Sequence, residues 1–378
     1  MIKTGITGQK GFIGTHLYNT IGLHPGKYCR IPFEDEYFED DSCLEEFVSS
    51  CDVIIHLAAV NRHPDPGVIY ETNMGLVRRL IEAMEKTGSR PQVIFSSSTQ
   101  EDRDNPYGNS KRDGRRLLEE WARRNEAVFT GLIIPNVYGP FGKPYYNSVV
   151  ATFCHQLTHN ETPVIETDGL LKLLYVGELT GIITDLINTD HRSRGRHLIS
   201  RYRIPHTFET SVSELLSKLT RFRNNYYENS GLPDLSDPAE RNLFNTLVSY
   251  INYKEFYPSR LRANTDPRGS FVELIRLNSG GQVSFSTTRP GVTRGNHFHT
   301  RKAERFVVVK GNARIDFRRI GTDEIFSFEL NGLEPSFVDM PVWHTHRITN
   351  TGRNELLTVF WINEAYDPRD PDTYFEKV

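Results

Sequence analysis

Three short stretches of this chain bring together side chains whose spacing could do chemistry. "RGNHFHTRKAER" (Arg294 to Arg305) places His297, His299 and Glu304 close together. If "HFH" is extended, its side chains alternate with a period of two, so both imidazoles face the same way. Glu304 then opens the next strand across a turn, and His346 arrives from a later one. Three imidazoles and a carboxylate suit Zn²⁺, with Fe, Mn or Ni as alternatives. His344 is an extra candidate. An HxH pair alone is commoner as exposed polar strand than as a metal site, so the wider pattern must carry the reading.

The second stretch, "YGNSK", puts Tyr107 and Lys111 one helical turn apart on one face. A free tyrosine ionises near pH ~10, so it acts as an acid or base near neutrality only with help. A lysine ammonium one turn away gives that help by stabilising the phenolate. Upstream, "SSS" (Ser96 to Ser98) closes an apolar run and offers hydroxyls to a substrate carbonyl. The third stretch, "GITGQKGFIG", spaces Gly8, Gly11 and Gly14 between a strand and a helix. Glycines there let the backbone approach a pyrophosphate, and the helix start supplies free N–H groups and the positive dipole end.

The elements that must position these residues fall into two patterns. Up to about residue 250 strands alternate with helices. "CDVIIHLAAV" and "PQVIFSSS" are continuous apolar runs, as expected of strands buried on both faces. "TNMGLVRRLIEAMEKTG" and "YGNSKRDGRRLLEEWARR" have helical spacing, and "RRLLEEWARR" (Arg115 to Arg124) reads as a solvated charged face. The fold class expected is α/β, a Rossmann-type doubly wound parallel sheet. Beyond "NYKEFYPSRL" come short strands separated by turns: "GSFVELIRL", "GQVSFSTT", "RFVVVKG", "ARIDFRRI", "EIFSFEL", "SFVDMP", "HRITN" and "LLTVFWIN". That spacing predicts an all-β jelly-roll barrel. The expected domains are residues 1–253 and 258–378, with no linker of biased composition and no internal repeat.

Bulk properties exclude several classes. A chain of 378 residues with 37% hydrophobic and 25% charged residues affords a sizeable core. A formal net charge of −3 asks for neither nucleic acid nor an anionic membrane surface. Cys29, Cys43, Cys51 and Cys154 form no CxxC pair, which suggests a reducing compartment. No signal peptide and no membrane-length apolar run are evident, so the protein is expected to be cytoplasmic.

"TGQKGFIG", "HLAA" (His56 to Ala59), "FSSS", "YGNSK" and "PNVYGP" (Pro135 to Pro140), in that order, resemble the extended, nucleotide-sugar-modifying branch of the short-chain dehydrogenase/reductases. The resemblance implies Tyr107 as proton donor, Lys111 as its partner and Ser98 as carbonyl binder, with Ser97 as the alternative beside the substrate. It implies that Gly8, Gly11, Phe12, Ile13 and Gly14 meet the cofactor, and that Leu57, Ala58 and Ala59 and Pro135 line it. Asn136 would face the substrate, and Asn73 would support the lysine through water. An acidic residue after the second strand would bind the ribose of NAD. "KYCRIPF" offers Arg30 instead, and Lys10 precedes the second glycine. Two cations suit a 2′-phosphate, so NADPH is expected.

The C-terminal run is similar to the cupins. Gly291, His297, His299, Glu304 and Gly311 fit the first cupin motif. Pro341, His346 and Asn350 fit the second, except that Trp343 stands where glycine is usual. "DPRGSF" and "RGNHFH" also resemble cupins that epimerise 4-keto deoxysugar nucleotides, in which the first histidine is a base. His297 therefore has two competing roles, ligand or base.

Taken whole, including "YYNSVVATFC" and "NEAYDPRDPDTYF", the chain resembles the bifunctional capsular polysaccharide/O-antigen biosynthesis enzymes. That implies a UDP-linked 4-keto-6-deoxy HexNAc substrate, C3 epimerisation by the metal-bearing cupin, and NADPH-dependent C4 reduction. The implied product is UDP-2-acetamido-2,6-dideoxy-L-talose, on the route to N-acetyl-L-fucosamine. Asn147 is then a candidate sugar-nucleotide contact, Lys302 and Arg294 are candidate cations in the epimerase, and a homodimer is expected. The order follows from chemistry, because the C3 hydrogen is acidic only while C4 is a ketone. The rival readings are a reductase whose cupin only dimerises, and a non-catalytic NADPH-binding scaffold. The complete Ser/Tyr/Lys set speaks against the scaffold.

Overall fold

Apolar runs alternate with amphipathic ones in the first half, and strands alternate with helices accordingly. The computed structural model describes residues 1–189, 199–267, 269–277, 280–364 and 366–378. Arg268 of "DPRGSF" and Ala365 of the "NEAYDPRDPDTYF" run lie outside the described residues.

Strands β1 (Ile2–Thr7), β2 (Tyr28–Ile31), β3 (Val53–His56), β4 (Gln92–Ser98), β5 (Phe129–Ile134) and β6 (Ile199–Arg203) form one sheet in the order β2-β1-β3-β4-β5-β6. Every neighbouring pair is parallel. β2 lies on one side of β1 and β3 on the other, so the winding reverses at β1/β3. In open α/β sheets that reversal leaves a crevice outside the carboxyl ends of the strands. Gly8 begins there after β1, and Leu57 there after β3.

Both faces of the sheet are covered, as a doubly wound sheet requires. Helices α1 (Phe12–Gly22) and α5 (Val176–Ile187) supply Leu17, Leu179 and Ile183 to one apolar layer, with Ile6, Ile55 and Leu132 of the strands. Helices α2 (Asp41–Ser50), α3 (Pro66–Thr87) and α4 (Pro106–Asn125) supply Phe47, Leu80, Leu118 and Trp121 to the other. Burying a side chain of this size is worth roughly 1.5–3 kcal/mol. The helix ends are written locally. Asp65 and Asn105 cap α3 and α4, each followed by proline, and Gly88 ends α3 at a φ of 66°.

The "RRLLEEWARR" face departs from expectation. Arg115 is buried: its guanidinium binds Glu101 at 3.0 Å and Glu119 at 2.6 Å. The helix turns this arginine inward because α4 packs on both α3 and β4, and a buried charge persists only when paired.

Two antiparallel five-stranded sheets form the cupin barrel. The first orders the short strand Ser259–Arg260, then β12 (Ser336–Met340), β9 (Glu304–Lys310), β14 (Leu356–Ile362) and β7 (Gln282–Thr288). The second orders β11 (Ile325–Asn331), β10 (Asn312–Arg319), β13 (His344–Asn350), β8 (Thr293–Phe298) and β15 (Tyr374–Phe375).

By internal packing the chain divides into two units. One comprises Met1–Tyr138, Tyr145–Ser148 and Leu170–Glu209, and the other Gly139–Pro144, Val149–Gly169 and Thr210–Val378. Helices α6 (Val212–Asn229) and α7 (Pro238–Val248) belong to the second. A buried polar network ties α6 to the barrel. The Tyr226 hydroxyl donates to Asp339 at 2.5 Å, and Arg305 pairs with Asp339 while donating to the Ser230 carbonyl at 2.6 Å. No helix among the described residues is long and apolar enough to cross a membrane.

Candidate active sites

In the first unit the glycine turn and the Tyr/Lys pair are both built by close backbone packing. Gly8 has a φ of 69°, and a Cβ there would stand 2.8 Å from the Ala58 nitrogen. A Cβ on Gly14 would come within 2.1 Å of the Gly8 carbonyl oxygen. Only glycine allows this approach of strand and helix. Gly11 caps α1 without a side-chain bond, and the first turn of α1 contains no acidic residue. Free N–H groups at a helix start, reached over bare backbone, fit a pyrophosphate. The crevice is braced behind by Thr7, whose hydroxyl meets His56 Nδ1 at 2.7 Å and accepts from the Ala58 N–H at 3.3 Å. Burial drives the His56 imidazole down to about 3, so it is neutral.

Tyr107 and Lys111 lie in the first turns of α4. The Lys111 ammonium lies 5.7 Å from the centre of the Tyr107 ring and 3.4 Å from Ser96 Oγ. Burial lowers its pKa to about 7. Burial, then the neighbouring Tyr146, pushes the Tyr107 hydroxyl up to about 12. The residues of the serine run are distinguishable by contact. Ser96 Oγ donates to the His56 carbonyl, and Ser97 Oγ donates to Glu101 at 2.6 Å. Ser98 Oγ accepts from the Gln100 N–H, which leaves its own proton to donate. Asn73 bridges Val60 and Ser110.

Of the remaining expected contacts, the two cations have partners of their own and the two asparagines face solvent. Lys10 is ion-paired with Glu34. The Arg30 guanidinium lies 4.2 Å over the Tyr18 ring. Asn136 and Asn147 are exposed, while Pro135 is buried.

In the second unit a metal-ligand set converges from both sheets. His297 on β8 stands in register with His346 on β13, and His299 follows the end of β8. Glu304 opens β9 in the other sheet. One ligand atom from each of these four residues lies within 4.8 Å of the others. His299 Nε2 and His346 Nε2 stand 3.2 and 3.0 Å from Glu304 Oε2. Yet all three atoms are buried without a hydrogen bond. Buried polar atoms almost always find partners, so three convergent orphans fit a cation's ligands. Their orientation is fixed from behind. His299 Nδ1–H donates to the Asp372 carbonyl at 2.5 Å, and His346 Nδ1–H to the His344 carbonyl at 3.2 Å. Each Nε2 is thereby left as the lone-pair donor, the usual arrangement behind a metal-binding histidine.

The electrostatics agree. Burial, then His346, lowers His297 to about 4, so this imidazole is neutral. Burial opposes charge on Glu304, but the two adjacent imidazoles outweigh it and hold the carboxyl far below its usual range. Burial likewise opposes the His299 imidazolium, and Glu304 with Asp372 moves it upward. Trp343, which occupies a glycine position of the motif, has a φ of 60°, where a bulky residue is rare. Its N–H donates to the His299 carbonyl at 2.7 Å. His344 is not one of the four. Burial keeps it neutral, near 3, among Tyr253 and Phe317. Arg294 is exposed on β8, and the Lys302 ammonium donates to the Pro371 carbonyl at 2.9 Å.

Comparison with known proteins accounts for both halves. Residues 5–191 match the NAD dependent epimerase/dehydratase family, and residues 264–374 the polysaccharide biosynthesis C-terminal domain. A UDP-2-acetamido-2,6-beta-L-arabino-hexul-4-ose reductase of Pseudomonas aeruginosa is 32% identical over 375 residues, 99% of this chain and 98% of that one. The crystal structure of the capsular polysaccharide assembling protein CapF from Staphylococcus aureus covers 100% of both chains at 34% identity and a TM-score of 0.62. The chain belongs to the CapF family. A second CapF structure, with the inhibitor 3-isopropenyl-tropolone, is 31% identical and covers 100% of both chains with a TM-score of 0.58.

For a CapF-family chain, three features of the site were not visible in sequence. Ser96 contacts Lys111, Glu101 fixes Ser97, and Asp372 holds His299. Ser96, Ser97 and Lys111 lie in quoted motifs, and Glu101 lies between them, but only the packing of α4 on β4 assigns their contacts. Asp372 sits in the "DPDTYF" run, whose only sequence signal was the family likeness.

Proposed function

We propose that this chain epimerises C3 of a UDP-linked 4-keto-6-deoxy HexNAc in its cupin region (258–378) and then reduces C4 with NADPH in its N-terminal region (1–253). The product is UDP-2-acetamido-2,6-dideoxy-L-talose, for capsule or O-antigen synthesis toward N-acetyl-L-fucosamine. The carrying observation is the convergence of His297, His299, Glu304 and His346 on a chain that also sets Lys111 beside Tyr107 and the serine run. Two supports come from relatives. The Pseudomonas reductase is named for a 4-keto 2-acetamido-2,6-dideoxy UDP-sugar. A tropolone, the inhibitor held by one CapF, offers vicinal ketone and hydroxyl oxygens that chelate divalent metals.

His297, His299, Glu304 and His346 would hold the metal, zinc by donor type. A divalent cation there supplies Lewis acidity to a substrate carbonyl, and NADPH on the glycine turn supplies hydride. The rest is done by side chains. A base in the barrel removes the C3 proton, the resulting enolate carries its charge on the C4 oxygen, and a proton returns to the opposite face. His297, neutral and partly exposed, is that base if it is not bound to the metal. In the reductase, Ser98 donates to the C4 oxygen and Tyr107 transfers its hydroxyl proton there as hydride reaches C4. The Lys111 ammonium stabilises the phenolate that remains, until solvent reprotonates it. Reduction removes the acidity of C3–H, so it traps the epimer. The protein works in the cytoplasm as a homodimer, without nucleic acid or membrane.

The test is to incubate the full chain with the 4-keto UDP-sugar in D₂O without NADPH. Deuterium at C3, lost in His297→Ala, is the expected result. No exchange in the wild type would leave a 4-keto reductase whose barrel serves dimerisation.

A further inference from the structure

The loop after the HxH pair is unusually tied. Asp372 is buried, and its two carboxylate oxygens accept four hydrogen bonds from three consecutive residues. Oδ1 accepts from the Thr300 N–H at 3.1 Å and the Thr300 hydroxyl at 2.6 Å. Oδ2 accepts from the Arg301 and Lys302 N–H groups, both at 3.1 Å. Successive N–H groups curled around one carboxylate form an anion nest, here filled from within the chain. The Asp372 carbonyl accepts from His299 Nδ1 at 2.5 Å. The residue has a φ of 42°, a left-handed conformation that aspartate adopts more readily than most residues.

Neighbouring contacts extend the clasp. Lys302 is buried, with its ammonium on the Pro371 carbonyl at 2.9 Å. Arg301 pairs with Glu364 at 3.1 Å; its other partner, Asp370, is an exposed carboxylate on the solvent side of the clasp and makes no hydrogen bond with the 300–302 backbone. Tyr374 and Phe375 pair with Phe298 and His297 as an added strand. One short segment therefore braces both histidines of the HxH pair.

We infer that Asp372 is a positioning residue for the metal centre: its carboxylate locks the 300–302 loop, and its carbonyl fixes the His299 ring with Nε2 aimed at the cation. The inference rests on the reading that the four-residue cluster binds a divalent metal. The nest sets where the carbonyl stands, and the carbonyl sets the tautomer and angle of the ligand. Without the carboxylate, the carbonyl and loop lose their common anchor, and His299 must be ordered at the moment of binding. Partners behind a metal ligand are typically worth about 10- to 100-fold in affinity.

The experiment uses the full chain as wild type, Asp372→Ala, Asp372→Asn and Asp370→Ala. Zinc affinity is measured by competition with a chromophoric chelator. Coordination is read from the visible bands of the Co²⁺-substituted proteins, which loosening of the fold far from the ligands would not reshape. Circular dichroism and NADPH binding check that each variant is folded. Asp372→Ala is expected to bind zinc about 10- to 100-fold more weakly, with altered Co²⁺ bands. Asp372→Asn keeps one acceptor oxygen and falls between. Asp370→Ala removes only an exposed partner of Arg301 and matches wild type. Should Asp372→Ala not fold, Thr300→Val, which deletes a single bond to Asp372, decides by a smaller drop in affinity. Wild-type affinity and spectrum in the folded Asp372 variant, or in Thr300→Val, overturn the inference. A wild-type protein that takes up no zinc refutes the metal reading itself.

Discussion

His346 Nε2 stands 3.0 Å from Glu304 Oε2, although the two residues belong to different sheets of the barrel. The contact holds a histidine and a carboxylate together without a hydrogen bond between them, an arrangement that a cation between them would satisfy. Ligands that bind only the folded state stabilise it by mass action. Adding Zn²⁺ is therefore expected to raise the melting temperature of the wild type, and chelation to lower it. Glu304→Ala should show neither response. A melting temperature in the variant that still tracks Zn²⁺ would count against this ligand set.

On the proposed mechanism, Tyr107→Phe removes the proton destined for the C4 oxygen, while leaving the barrel intact. NADPH oxidation with the 4-keto UDP-sugar is expected to fall by at least about 10²-fold, the usual worth of a positioned acid. Deuterium exchange at C3 should continue. Turnover close to wild type would remove Tyr107 from the acid role.

Lys111 makes stability depend on pH. Burial lowers its pKa to about 7 from 10.5. Between those values the unfolded chain holds the extra proton, so this group's contribution to stability rises as pH rises across that window. Lys111→Met should therefore gain most in melting temperature, relative to wild type, near pH 7. The gain should shrink toward pH 10. A difference that does not change with pH would mean that the ammonium is not paying for its burial.

A Cβ on Gly14 would come within 2.1 Å of the Gly8 oxygen, which is backbone and cannot swing aside. Gly14→Ala is expected to push α1 off β1 and weaken NADPH binding more than tenfold, measured by fluorescence titration. Unchanged affinity would separate the glycine turn from the cofactor.

Lys10 tests the choice of cofactor, because it is paired with Glu34. Glu34→Ala frees the ammonium for a 2′-phosphate, so the ratio of NADPH to NADH efficiency should rise, and Lys10→Ala should lower it. If neither variant moves the ratio, the 2′-phosphate lies elsewhere.

How much of this was legible in sequence depends on the range of the forces involved. The Tyr107/Lys111 face, the shared side of His297 and His299 and the glycine turn follow from helical and strand periods and from the missing Cβ, which act within a few residues. The Ser98 hydroxyl could not be told from Ser97 in that way. It is Glu101, held by a buried Arg115, that occupies Ser97.

The sequence by itself determined two fold patterns, a glycine turn between strand and helix, a Tyr/Lys pair on one helix face and a set of metal-ligating residue types. It determined these because each is a local pattern of size, polarity or backbone freedom. Only the tertiary structure decided that Arg115 is buried, that Lys302 reaches the Pro371 carbonyl, and that Asp372 stands behind His299. The first depends on the distant carboxylate of Glu101 and on Glu119 one turn along; the other two depend on which distant backbone N–H and C=O groups are left over once the sheets have formed. Such groups carry no residue-specific signature, since every residue but proline offers both.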